Sequence, residues 1–283
     1  MTTISGSDFE FVRRVVWKSS AILLEEGKEY LAESRLNALA SREGIGSIAE
    51  LVNRLRGERG DDLTRKVVES MTTNETSFFR DVYPFEMLRE QLLPQLIRLR
   101  ASTRRLSIWS AACSSGQEIY SLAILLHEHF PELAGWSVRL LATDLSTEVV
   151  AKAKRGRFTQ MEVNRGLSAA LLLKYFRQDG SEWEIIPRLR AWIEFRTMNL
   201  IETWNDIESM DLIFLRNVLI YFDEESKRNV LSRVRTTLRP DGYLILGGTE
   251  SALFHGDAFE RITLGRAVAY RPAVPLPTGP GIL

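Results

Sequence analysis

From Leu106 onward the sequence alternates short, unbroken apolar runs with amphipathic stretches, and this alternation constrains the fold more than any other feature of the chain. LSIWSAA, SVRLLATDLS, AWIEFRTMNL, DLIFLRN and GYLILGG are the runs. A strand covered on both faces has no polar side to show, so it reads as a run rather than as alternating polar and apolar residues. Between the runs lie helical patterns: EIYSLAILLHEHF, then VVAKAKR behind Ser146 or Thr147 as a cap, then Asp223–Leu238 with Val230, Leu231, Val234 and Leu238 inward. The turn Pro240-Asp241-Gly242 closes the last of these. Strands of this kind alternating with helices predict an α/β fold, a doubly wound parallel sheet with helices on both faces.

The first seventy-odd residues follow another rule. Ile48, Leu51, Val52 and Leu55 are spaced i, i+3, i+4, i+7 behind Ser47, a favourable N-cap. Ala32, Leu36, Leu39 and Ala40 repeat the helical spacing and stop before Gly44, and Leu63, Val67 and Met71 mark a further helix. The expected organisation is an all-helical N-terminal domain over 1–72 and an α/β domain over 73–271 that includes a linker, 73–105. Residues 155–197 interrupt the alternation and predict a small antiparallel β insertion. Its entry is basic, with Lys152, Lys154, Arg155, Arg157 and Arg165. The proline-rich stretch 272–283 is expected to be a disordered tail.

Composition removes several functional classes. Lys and Arg number 37 and Asp and Glu number 37, so no bulk charge draws the chain to nucleic acid or an anionic membrane. One cysteine, Cys113, rules out an intrachain disulfide, and with three histidines it argues against a structural zinc site, so no metal is expected. The longest charge-free stretches have 12 residues, short of the roughly 20 that span a bilayer. The opening MTTISGSDFEFVRR has no signal-peptide apolar core. A cytoplasmic protein with no membrane insertion is expected.

In an open parallel sheet the ligand sits beyond the carboxyl ends of the strands. The polar residues expected there are Ser114-Ser115-Gly116-Gln117-Glu118, Asp144, Asn199 and Arg216-Asn217. The first turn has a single glycine, Gly116, where a dinucleotide fingerprint wants three, so NAD and FAD are disfavoured. Asp144, ending the second strand, stands where an acid can accept two ribose hydroxyls. A nucleoside without phosphates fits both facts, and S-adenosylmethionine is the commonest such cofactor. The residues alone leave two other readings open: Asp144 as a helix cap, and Glu118 as an acid favoured by the helix dipole. The segment MTTNETSFFRDVYPF, residues 71–85, sets polar donors and Arg80 around the pair Phe78-Phe79. It reads either as a polar turn before a helix capped by Asp81 or as a lid whose arginine grips a carboxylate.

MTTNETSFFRD, AACSSGQEIYSLA, LATDLS, MNL and FLRNVLIYFD, in this order, resemble the CheR chemotaxis receptor methyltransferases over about Phe9 to Arg271. The resemblance implies a class I S-adenosylmethionine-dependent methyltransferase domain behind the helical domain, and methyl transfer to glutamate side chains of methyl-accepting chemotaxis receptors. It implies that Asn74, Thr76 and Arg80 surround the methionine end of the cofactor. Glu118 then resembles the family's acid after the glycine turn, and Asp144 its ribose acid. Asn199 and Leu200 resemble the adenine-side pair, with Arg216 and Asn217 completing the site and Tyr221 beside the transferred methyl. Arg80 and Tyr221 are the implied catalytic residues. The implied partners are the receptors' cytoplasmic helices, engaged by a monomer, with Arg35, Arg42, Arg54, Arg56 and Arg59 as candidates for the facing surface and the insertion as a docking subdomain.

Three positions depart from the family pattern. Gln117 and Ile119 replace a usual Glu and Pro, and Gly248 stands where many members carry His. The loop Arg177–Trp183 is also short, which points toward receptor binding that does not use a pentapeptide tether. A glutamate carboxylate is already ionised at neutral pH, so the implied reaction needs no general base. His127, His129 and His255 are accordingly expected to be structural, and Cys113 a packing residue. A cofactor-binding module without transfer activity and a methyltransferase of nucleic acid or small molecules are the rival classes. The intact motif residues oppose the first, and the neutral charge opposes nucleic acid.

Overall fold

All five apolar runs become strands of a seven-stranded sheet in a computed structural model that describes residues 3–57, 61–253 and 258–273. In chain order the strands are β1 Arg105–Ala111, β2 Ser137–Asp144, β3 Arg157–Thr159, β4 Phe176–Asp179, β5 Glu182–Ile185, β6 Ile193–Thr197, β7 Met210–Leu215, β8 Leu238–Leu246, β9 Phe259–Leu264 and β10 Ala267–Pro272. The large sheet runs β6-β2-β1-β7-β8-β10-β9. Its first five strands are parallel, and β10 and β9 close the edge antiparallel. Adjacent residues of each central strand enter opposite cores. Ile108, Leu140, Leu212 and Ile245 join one; Trp109, Leu141, Ile213 and Leu244 join the other. Two buried faces, each side chain stabilising by about 1.5–3 kcal/mol, are the reason these strands read as unbroken runs.

Helices α1 Gly6–Ser20, α2 Glu29–Arg42, α3 Ile48–Gly57 and α4 Asp61–Ser70 form the N-terminal domain around Val12, Leu36, Leu51 and Val67. Ser47 caps α3, accepting the Glu50 amide at 3.1 Å, as its position predicts. The chain continues through α5 Tyr83–Met87, a π-type turn at Leu88–Leu92 and α6 Leu93–Arg100. Then follow α7 Gln117–His129, α8 Thr147–Arg155, α9 Gln160–Asn164, α10 Ala169–Tyr175, α11 Pro187–Arg190 and α12 Glu224–Thr237. Ser146 caps α8 and Asp223 caps α12 through their side chains.

The fold differs from the sequence reading in four places. The hairpin β9–β10 follows no apolar run, because β9 is an edge strand with Glu260, Arg261 and Thr263 exposed to solvent. Pro240-Asp241-Gly242 lies within β8 instead of ending a helix. Met210 pairs with Leu238 and Leu212 with Tyr243, so the turn residues bulge out of the ladder. The inserted sheet, ordered β3-β5-β4 and antiparallel, is complete by Ile185, and β6 at 193–197 already belongs to the large sheet. Asp81 makes no helix cap: Val82 holds the cap position of α5, while the Asp81 carboxylate takes Arg216. Residues 274–283, Arg59 and His255 lie outside the described residues.

Candidate functional site

The chain runs from β1 outward to β2 on one side and later returns to β7 on the other, so strand order reverses at β1. A crevice opens there at the carboxyl ends of parallel strands. It is lined by Asn74, Thr76, Arg80, Glu118, Asp144, Asn199, Leu200, Arg216, Asn217 and Tyr221, the ten residues named from the motifs, and by Ser114 of the first turn, whereas Ser115, Gly116 and Gln117 do not line it.

Their side chains do different work. Asp144 is buried at the end of β2; one carboxylate oxygen accepts the Ser114 amide at 2.8 Å and the other the Ser146 amide at 3.0 Å. Burial pushes its carboxyl above the ordinary aspartate range, and those backbone donors only partly oppose the shift. Glu118, in the first turn of α7, accepts Ser110 Oγ at 2.7 Å and Arg216 Nη1 at 3.0 Å. Arg216 is almost fully buried; its Nη2 donates to Asp81 Oδ2 at 2.7 Å and to the Arg80 carbonyl at 3.0 Å. It therefore clamps the segment after Phe79 to the sheet. Asn199 gives its amide to the Ser19 carbonyl at 2.7 Å and to Glu202 at 3.0 Å, tying the end of α1 to the crevice.

The segment 72–82 forms one wall. Ser114 Oγ donates to the Asn74 carbonyl at 2.8 Å, and the Asn74 amide donates to Thr72 at 3.0 Å. Arg80 Nη1 donates to the Glu75 carbonyl at 3.0 Å, and Arg80 has no ion-pair partner among the described residues. The Phe78 ring meets Phe158 and Phe176 of the insertion edge-on, at 5.0 and 5.6 Å. Among the described residues, six of the nine non-glycine residues with positive φ cluster here: Phe79, Asp81, Val82, Ala112, Ser114 and Asn217. Such strain gathers where the surrounding structure must hold a geometry for use.

Several lining residues carried no signal in the sequence. Ser20 and Ile22 come from the N-terminal domain, where the Leu23 amide donates to the Tyr221 carbonyl at 2.9 Å and Ile22 bridges Phe222. The helical domain thus closes one side of the crevice, a fact no local pattern could reveal. Glu250 accepts the amides of Asn217 and Gly247 at 2.7 Å and of Val218 at 2.9 Å, fixing the loop that leads to Tyr221. Its position just past the glycine pair at the end of β8 was the available clue.

The residues present suit S-adenosylmethionine. Each Asp144 oxygen keeps acceptor capacity for a hydroxyl, Arg80, with Nη1 on the Glu75 carbonyl, has further guanidinium donors for a carboxylate, and Leu145, Met198, Leu200 and Phe222 supply apolar wall. The Nε of Arg216 is buried with no acceptor in the chain. Cys113 lines the crevice but burial, with Asp144 and Glu118 nearby, pushes its thiol far above the usual range, so it packs and does not react.

Residues 74–268 match the family described as CheR methyltransferase, SAM binding domain, and residues 7–72 match CheR methyltransferase, all-alpha domain. The chain belongs to the CheR methyltransferase family. It is 42% identical to Chemotaxis protein methyltransferase 1 of Pseudomonas aeruginosa, over 94% of this chain and 98% of that one. It is 40% identical to Chemotaxis protein methyltransferase Cher2 of Pseudomonas putida, over 93% and 97%, and 36% identical to the Chemotaxis protein methyltransferase of Vibrio anguillarum, over 95% and 98%. This CheR methyltransferase is an S-adenosylmethionine-dependent chemotaxis protein methyltransferase with the class I fold.

Against that family, the departures take on physical form. Gln117 is buried, its side-chain oxygen accepting Ser115 Oγ at 2.9 Å, so a neutral amide serves where a carboxylate would need a counter-charge. Ile119 is wholly buried in the core. A Cβ on Gly248 would meet nothing within 4 Å. The N-terminal arginines divide. Arg35 is turned inward, donating to the Met71 carbonyl at 2.6 Å and to Thr73 at 3.1 Å, so it braces the lid segment. Arg42, Arg54 and Arg56 are exposed and paired with Glu148, Glu50 and Asp8, surface pairs worth at most about 1 kcal/mol each.

Proposed function

We propose that this enzyme transfers the methyl group of S-adenosylmethionine to glutamate side-chain carboxylates of methyl-accepting chemotaxis receptors, forming methyl esters. The observation that carries the reading is a crevice with a guanidinium, Arg80, that has no ion-pair partner among the described residues, and no histidine among its described lining residues. His127 and His129 stand nine and eleven residues beyond Glu118 on α7, about 14 and 16 Å along the helix axis. His127 is held by Tyr175 at 2.9 Å. An acceptor that arrives ionised, as a carboxylate with a pKa near ~4.3 does, needs no base.

When bound, S-adenosylmethionine supplies an electrophilic methyl on a sulfonium. A carboxylate acceptor would take that methyl in a single displacement, the neutral sulfide leaving with the electron pair, so the chain need supply no general base. The chain's contribution is alignment and exclusion of water. In this reading Asp144 holds the ribose hydroxyls, Asn199 and Leu200 flank the adenine, and Glu118 with Arg216 and Asn217 completes the pocket. Asn74, Thr76 and Arg80 hold the methionine end. Tyr221, fixed through Glu250 and the α1–α2 connection, packs beside the methyl. Residues 1–72 and the insertion form the faces toward the receptor's cytoplasmic helices, which places the enzyme in the cytoplasm. In this reading the enzyme acts on the receptor as a monomer.

The test is transfer of labelled methyl from S-adenosylmethionine to receptor-containing membranes, scored as methanol released by mild base. Alkali-labile label on a receptor is expected; base-stable label would mean an acceptor other than a carboxylate and would overturn the reading.

A further inference from the structure

A second groove adjoins the crevice at the same end of the sheet. Gly247 and Gly248, just past β8, line it together with Ala267 and Val268 of β10, Arg261 of β9, Arg266 of the β9–β10 turn, and Asp81 and Tyr83. The topology sets these residues on the crevice side. Because β10 is antiparallel to β8, with Tyr270 opposite Leu244, the turn before Ala267 falls at the carboxyl end of β8. Contacts link the two spaces: Arg216 of the crevice pairs with Asp81 of the groove, and the Asn217 amide of the crevice donates to Glu250 of the groove. Asn217 Nδ2 lies 2.8 Å from where a Cβ on Gly247 would stand.

The groove holds two acids and two cations. Asp81, half-exposed, shares the charge of Arg216 with Glu118, and Glu250 accepts the backbone amides of Asn217, Val218, Ile220 and Gly247. The two cations are bound to neutral groups. Arg261 Nη1 donates to Thr263 Oγ1 at 3.0 Å. Arg266 Nη1 donates to Tyr83 Oη at 2.7 Å and lies 5.2 Å from that ring's centre. Neither has a carboxylate partner among the described residues. Both residues are exposed, and Gly248 leaves the space before them open. A protein segment laid across the sheet edge, with one glutamate entering the crevice past Arg80, would run over this groove.

We propose that Arg261 and Arg266 form a second carboxylate subsite, which takes an acidic side chain flanking the glutamate that is methylated. This rests on the proposal that the acceptor is a protein glutamate. The subsite would give the enzyme selectivity for glutamates in acidic surroundings while leaving cofactor binding untouched. Arg suits the role through its bidentate grip on carboxylate, and an exposed cation of this kind acts on encounter and salt dependence.

The test uses the full-length enzyme and a purified chemoreceptor cytoplasmic fragment, in its own form and with the acids flanking its methylated glutamate changed to Gln. The paired charge reversal Arg261→Glu with Arg266→Glu is expected to lower kcat/KM on the unaltered fragment about tenfold or more, with unchanged S-adenosylhomocysteine affinity by calorimetry. The same reversal should have little effect on the Gln fragment, because the loss is then a coupling between the two sets of charges. Arg266→Lys, which keeps the charge, should retain most of the activity and so separate charge from fold. Equal kcat/KM for wild type and reversal on the unaltered fragment, or equal losses on both fragments, would overturn the subsite. No ester formation by the wild type on any fragment would instead overturn the acceptor assignment, and the subsite with it.

Discussion

Replacing Gly166 by alanine should loosen the cofactor crevice without touching a residue that lines it. Gly166 has φ +97°, and a Cβ there would stand 1.8 Å from the Phe78 carbonyl oxygen and 2.8 Å from its carbon. Since a real Cβ keeps at least 3.0 Å, the backbone at Phe78 must retreat by about 1.2 Å. That backbone is pinned: the Phe78 amide donates to the Arg165 carbonyl at 3.1 Å and the Phe79 amide to Ser121 Oγ at 2.9 Å. Holding the segment in place costs about 1–2 kcal/mol for the left-handed alanine. Breaking one backbone hydrogen bond costs about 1 more, and the disturbed Phe78 ring pairs about another 1. The sum, about 3–4 kcal/mol, corresponds to a melting temperature lower by roughly 5–7 °C for a chain of this size. The segment also carries Arg80, two residues on, so S-adenosylhomocysteine should bind about tenfold or more weakly by calorimetry. Gly180→Ala is the control in the same insertion. It has φ +62° and nothing within 4 Å of its added Cβ, so it bears only the dihedral cost and keeps cofactor affinity. Equal melting temperatures and equal cofactor affinities for the two variants would refute the reasoning that the insertion positions the Arg80 segment.

Further outcomes are expected from the crevice itself. Arg216→Ala leaves Glu118 buried without its cation and frees Asp81 from the lid, and should destabilise the fold by about 3–5 kcal/mol in urea denaturation. Asp144 gives a pH signature. Its raised pKa means the folded state holds the proton more tightly than the unfolded state, so this group's contribution to stability is full at acid pH and is lost as pH rises through the folded value. Cofactor binding runs the other way, because the ionised carboxylate accepts the ribose hydroxyls. S-Adenosylhomocysteine affinity should fall about tenfold per unit below that value, and Asp144→Asn should flatten the dependence. Glu250→Gln removes the charge that gathers four backbone amides, and steady-state assays should find kcat lowered about tenfold or more with a smaller change in cofactor affinity.

Much of the fold and ten residues that line the crevice could be read from the sequence, Leu200 and Tyr221 through the family resemblance and the others because their signals are local. Ile108-Trp109 and Leu212-Ile213 sit on strands buried on both faces, so their apolar runs announce a parallel sheet. Asp144 and Arg216-Asn217 follow such runs directly, and a residue just past a parallel strand has only one end of the sheet to occupy. The motif around Asn74 and Arg80 is contiguous for the same reason: one stretch of backbone builds one wall. Edge strand β9 escaped because its solvent face mixes charge with apolar residues, and the β8 bulge looked like an ordinary turn.

The composition, the helical spacing of the first seventy residues and the order of the motifs were thus sufficient for the architecture, the cofactor and the family. Tertiary structure alone decided which residues hold the site in shape. Ser20 and Ile22 reach the crevice from the helical domain, Gly166 braces Phe78 from the insertion, Asp81 pairs with Arg216 across 135 positions of sequence, and Arg266 meets Tyr83 beside the crevice. Each of these contacts joins segments remote in sequence, and hydrophobic periodicity and capping report only on neighbours within a turn or two of the chain.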